Sequence, residues 1–120
     1  MIRDLLLIGL GGGAGSICRY LLGSCLSGGG AFPQGTFAVN VVGSLLIGLC
    51  IARLDSGALR MLLVVGFCGG FTTFSTFSAD TVALLQKGAC GTAALYAAGS
   101  VASCLLATAA GLWIGSKIGG

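Results

Sequence analysis

The sequence predicts an all-α integral membrane protein with four transmembrane helices per subunit, the third broken part-way across the bilayer. Three observations carry that expectation. Of the 120 residues, 56% are hydrophobic and only 8% charged, and the mean hydropathy is +1.06. A soluble domain of this length has too small a core to hide so much apolar surface. The apolar residues also fall into four windows, each close to the roughly 20 residues that a helix needs to cross a hydrocarbon layer. Finally, the third window contains G-F-C-G-G-F-T-T-F-S-T-F-S at Gly66–Ser78, which does not read as a uniform membrane helix.

The expected spans are 4–26, 36–52, 59–85 and 92–115, a single membrane domain over residues 1–120. Arg3, the apolar run behind it and Ala14-Gly15-Ser16 loosely imitate a cleaved signal peptide. Asp4 in the basic region and apolar sequence continuing to Leu26 argue for a retained span instead. Within that span Gly9, Gly11, Gly12, Gly13 and Gly15 form a small-residue run that admits a neighbouring backbone. Arg19 lies inside the same apolar window. A cation at a helix centre costs about 2.5–3.5 kcal/mol on insertion scales, so Arg19 either snorkels to the interface or faces a pore or vestibule.

The segment 27–35, with its glycines and Phe32-Pro33, reads as a turn. In the second span Gly43, Ser44 and Gly48 offer a second close-packing face. Asn40 is the polar exception there. Its amide serves either as interhelical glue or as a donor to a passing anion. Arg53, Asp55 and Arg60 mark a short polar loop before the third span. There, Gly69-Gly70 beside Thr72-Thr73 weakens the helix, and a break near 69–74 is expected. Backbone freed inside a membrane survives only when buried in protein or lining a cavity. Phe74 and Phe77 stand on one helical face, with Ser75, Thr76 and Ser78 interleaved as hydroxyl donors. Asp80 reads as solvated or as a cap. In the fourth span Tyr96, Ser100, Cys104 and Thr108 form a polar stripe, and Gly99, Ser103, Ala107 and Gly111 a small-residue stripe beside it. Trp113 and Lys117 suit the interface.

Several functions are disfavoured. No nucleophile–base pair, P-loop or metal motif occurs, so an enzyme is not expected. The net charge of +3 is small and scattered, which argues against nucleic acid. Cysteines 18, 25, 50, 68, 90 and 104 show no C-x-x-C spacing and read as small apolar fillers. A proton-coupled exporter of the four-helix small multidrug type needs a central carboxylate, whereas Asp4, Asp55 and Asp80 all lie near span ends. Four helices rich in small residues pack solid, so a conduit is expected between subunits. The basic residues favour an inside N-terminus by about two to three charges.

Gly66–Ser78 resembles the signature of the Fluc fluoride channels, also called CrcB proteins. G-A-G-S-I-C-R-Y at 13–20, G-T-F-A-V-N-V-V-G-S at 35–44 and the Tyr96/Ser100 pair extend the resemblance over essentially the whole chain. It implies a dual-topology homodimer in the bacterial inner membrane, two antiparallel subunits with two fluoride pores along their interface. It implies passive export of cytoplasmic fluoride. By motif, Asn40, Phe74 and Phe77 match pore residues, and Ser75, Thr76, Tyr96 and Ser100 match its polar donors. Arg19 matches a vestibule or central basic residue. A structural Na⁺ is implied between the broken helices, held by the main-chain carbonyls of Gly69 and Thr72. Cys104 departs from the hydroxyl track of some relatives. The charge bias leaves a paired homologous chain as the alternative to a homodimer. A small four-helix transporter or a structural membrane assembly subunit is the alternative function.

Overall fold

A glycine-rich chain with few large buried side chains can pack only by bringing helix backbones together, and that is how this one folds. The computed structural model describes residues 1–118. Four helices long and apolar enough to cross a membrane follow one another: α1 (Ile2–Leu26), α2 (Gln34–Arg53), α3 (Ala58–Gln86) and α4 (Cys90–Ile118). No strand occurs among the described residues. Each helix outruns its expected span by one to three residues at one or both ends. The molecule measures 47 × 31 × 22 Å, and its long dimension matches a bilayer of about 40–45 Å including headgroups. The chain is a multi-pass membrane protein.

The connections are short, so successive helices reverse direction. Gly57 and Gly88 make the last two reversals with φ of 93° and 79°, a left-handed conformation that side chains resist. The N–H of Lys87 closes the C-terminus of α3 on Ala83 O at 3.1 Å.

Two helix pairs form the body. In the first, α1 lies against the first half of α3 (residues 58–71). A Cβ on Gly11 would strike the Leu62 carbonyl, one on Gly15 the Phe67 carbonyl, and one on Gly70 the Gly12 carbonyl. In the second, α2 lies against α4, where Gly48 would strike Thr108 O and Gly111 would strike Leu45 O. Thr108 Oγ1 donates to Ser44 O at 3.1 Å across that contact. The α4 packing face thus runs through Thr108, Gly111 and Gly115. Gly99, expected on that face, has nothing within 4 Å.

The side-chain core is small and sits at the other end. Leu84, Ala93 and fully buried Tyr96 are packed by Phe32, Phe37, Phe77 and Ala89. Tyr96 meets the Phe32 ring edge-on at 5.4 Å and the Phe77 ring at 5.1 Å. All six cysteines are free, with Cys68 buried and Cys18, Cys25 and Cys90 exposed.

Candidate functional site

The break in α3 falls at Thr72–Thr73, just beyond the glycine pair. The first half ends in a π-helical stretch, Met61–Cys68, and a last α-turn, Gly69–Phe71. Thr72 then turns extended at φ −83° and ψ 157°, and Thr73 follows at φ −148° and ψ 112° before the helix resumes over Phe74–Gln86. Gly69 and Gly70 remain helical. Gly70 is a glycine because α1 lies against it, where a Cβ would strike the Gly12 carbonyl. The β-branched threonines are the residues that leave the helix.

A helix end leaves orphan N–H and C=O groups, and here side chains meet several of them. Thr73 caps the second half, its Oγ1 accepting from Thr76 N at 3.2 Å. The same hydroxyl bonds Thr76 Oγ1 at 3.1 Å and lies 3.3 Å from Ser75 Oγ. The Arg19 guanidinium donates through Nε to Gly70 O at 3.0 Å, with Ser16 Oγ 3.5 Å from the same oxygen. A cation at a helix C-terminus also meets the negative end of the helix dipole. Arg19 therefore does not snorkel away; it is tied to the end of the first half. Asn40 reaches Thr73 at two points, donating Nδ2 to Thr73 O at 3.1 Å and accepting from Thr73 N at 2.8 Å. Of its two readings, interhelical glue is the one this geometry realises, and one amide hydrogen is left over.

Two cavities flank the break, and Thr73 lines both. The larger, an open groove of about 560 Å³, gathers Asn40, Gly69, Thr72, Phe74, Phe77, Ser100 and Cys104. Gly43 makes room for it, since a Cβ there would strike the Thr72 methyl and stand 3.1 Å from the Phe71 ring. Phe74 and Phe77 lie 5.6 Å apart between centroids, and Phe74 is 77% exposed. Ser100 is only 4% exposed, and its Oγ has no partner among the described residues. The smaller cavity, about 190 Å³, holds Arg19, Thr36, Thr73 and Thr76.

The proposed polar stripe therefore divides. Ser100 and Cys104 face the groove, Thr108 is spent on α2, and Tyr96 is buried with its hydroxyl donating to Asp80 Oδ2 at 3.2 Å. Ser75 is exposed outside the groove, and Thr76 and Arg19 lie in the other cavity. Asp80 is neither simply solvated nor a cap. Its link to Tyr96 was missed because sixteen residues separate the pair in sequence, and no periodicity connects them. Replacing Tyr96 by Phe should cost about 1.5–3 kcal/mol, the usual value of a bond to a charged acceptor, read as an earlier unfolding midpoint in a denaturant titration.

An interrupted helix and paired glycine contacts within a four-span bundle define a class of small membrane proteins whose polar chemistry sits at a helix break. A family model described as CrcB-like protein, Camphor Resistance (CrcB), matches residues 6–112, and the chain belongs to that family. A protein of Novosphingobium aromaticivorans named fluoride-specific ion channel FluC is 49% identical over 119 residues, covering 92% of this chain and 91% of the relative. One of the same name from Thermus thermophilus is 47% identical over 125 residues, covering 99% and 95%. Another from Agrobacterium fabrum is 44% identical over 122 residues, covering 96% and 98%. The relatives are named as ion channels, and the family is not enzymatic.

Proposed function

We propose that this chain forms a passive, fluoride-selective channel that lets cytoplasmic fluoride leave across the bacterial inner membrane. In this reading two copies pair antiparallel, and each groove beside an α3 break becomes a pore at mid-membrane depth. The open groove is the observation that carries it. It combines a nearly buried hydroxyl without a partner (Ser100), a spare amide hydrogen on Asn40 and two phenylalanine rings, one of them largely uncovered. Fluoride holds its hydration water more tightly than the other halides, so a dry pore must replace that water with donors. Hydroxyls, amides and the positive edges of aromatic rings are such donors. Neutral donors also bind weakly enough to let the ion leave, as conduction requires. The one nearby cation, Arg19, has its Nε committed to Gly70 O.

Antiparallel pairing supplies the cover that Phe74 lacks. It also presents one basic end, with Arg3, Arg53, Arg60 and Lys117, to each side of the membrane. A paired homologous chain of opposite charge bias would cover the same face.

The residues at the break also fit a structural Na⁺. Side-chain bonds occupy the carbonyls of Cys68, Gly70 and Thr73 but not those of Gly69 and Thr72, and both free residues line the groove. Main-chain oxygens are the ligands a hard cation prefers. The ion would join the two subunits' breaks.

Fluoride efflux from liposomes carrying the purified protein tests the function, with chloride as control and valinomycin to dissipate the voltage. The expected result is fast fluoride loss that stalls without valinomycin, since charge separation opposes further exit by about 2.3 kcal/mol per 100 mV. Absence of flux from a monodisperse dimer would favour a missing partner chain or a purely structural subunit.

A further inference from the structure

We propose that Asn40 is a positioning residue for the cation site, keeping the Gly69 carbonyl available by holding the Thr73 N–H away from it. The inference rests on the sodium reading above. In an uninterrupted α-helix each N–H bonds the carbonyl four residues back, so the Thr73 N–H belongs to Gly69 O. Here it donates to Asn40 Oδ1 at 2.8 Å instead, while Asn40 Nδ2 holds Thr73 O at 3.1 Å. The carbonyls on either side of Gly69 are engaged. Cys68 O accepts from Thr72 N at 3.1 Å and from Thr72 Oγ1 at 3.0 Å, and Gly70 O accepts from Arg19.

Only Gly69 is stripped of its helical partner by another helix's side chain. Its exposed position on the groove turns that loss into an open ligand position. An amide is the side chain suited to the task, since one planar group offers an acceptor to the N–H and a donor to the C=O. Without it, a Thr73 N–H away from water must find another acceptor. The nearest in register is Gly69 O, and the first half of α3 would grow by one residue over its own ligand.

The test is thermal unfolding of the full-length protein in detergent, followed through its single tryptophan, Trp113. Midpoints in NaCl are compared with those in N-methyl-D-glucamine chloride at equal ionic strength. A ligand that binds only the folded state raises the midpoint by mass action. Wild type is expected to melt higher in sodium, and Asn40→Ala to lose that difference. Asn40→Asp keeps an acceptor for the Thr73 N–H and is expected to retain it. Phe74→Ala, which alters the groove without touching the clamp, is also expected to retain it. A sodium difference undiminished in Asn40→Ala overturns the inference while leaving the sodium reading intact. Its absence in wild type overturns both. Should Asn40→Ala not accumulate as folded protein, Asn40→Asp decides alone, and loss of the difference there overturns the inference.

Discussion

Gly15→Ala should destabilise the folded protein by roughly 2 kcal/mol, within the range for overpacking a filled site, while Gly13→Ala two residues away should not. The two glycines share a helix and differ in what a methyl group would meet. At Gly13 nothing lies within 4 Å, whereas at Gly15 a Cβ would strike the Phe67 carbonyl and stand 2.9 Å from the Phe71 nitrogen. Backbone atoms cannot rotate aside as a flexible side chain would, so α1 and the first half of α3 would have to separate as bodies. Helix propensity alone favours alanine over glycine by about 0.8–1 kcal/mol, which makes Gly13→Ala neutral or stabilising and gives the two variants opposite signs. Denaturant titration of the purified variants, with gel filtration to score the monodisperse fraction, measures the contrast. Equal midpoints would mean that α1 and α3 slide freely, and that Arg19 and Ser16 do not depend on this contact to reach Gly70.

Where sequence and structure part company, the reason is partner identity. Span number and rough limits follow from apolar windows and turn residues, which are local signals. The small-residue runs of α1 and α2 were legible because close helix packing requires them. In α4 the same rule selected a stripe from Gly99 to Gly111, of which Gly111 does pack on α2 while Gly99 has nothing within 4 Å, because a helix has several faces and only the partner chooses among them. Thr108, Gly111 and Gly115 do the packing because α2 brings Gly48 and Ser44 to that face. The break illustrates both cases. Glycine and threonine announce a weak point, yet whether Gly70 or Thr72 leaves the helix is settled by Arg19 and Asn40, which come from two other helices. The π-helical stretch before it has no sequence signal that we can identify. Of the pore candidates, Asn40, Phe74, Phe77 and Ser100 converge on one groove with Gly69 and Thr72, whereas Ser75, Thr76, Tyr96 and Arg19 do not line it. Ser75 and Thr76 adjoin Phe74, but successive helical residues point in different directions; Tyr96 is taken up by Asp80 and Arg19 by Gly70.

Ser100→Ala should leave the protein at least as stable and yet slow fluoride passage by about tenfold, the equivalent of about 1.4 kcal/mol at the barrier. The opposed signs come from one observation. Ser100 is 4% exposed, and its hydroxyl has no hydrogen-bond partner among the described residues. A buried polar group left unpaired costs about 1–3 kcal/mol, so a helix selected only for packing gains by carrying alanine there, which is also the better helix former. In the proposed channel the hydroxyl instead supplies a donor to an ion that has shed its water, and it is unpaired because its partner is the ion in transit. Flux in liposomes and a denaturation midpoint on the same preparation read both quantities. A fall in both would make Ser100 a structural hydroxyl whose partner is another subunit. Unchanged flux would remove it from the pathway and leave Asn40 and the phenylalanine edges to replace fluoride's water alone.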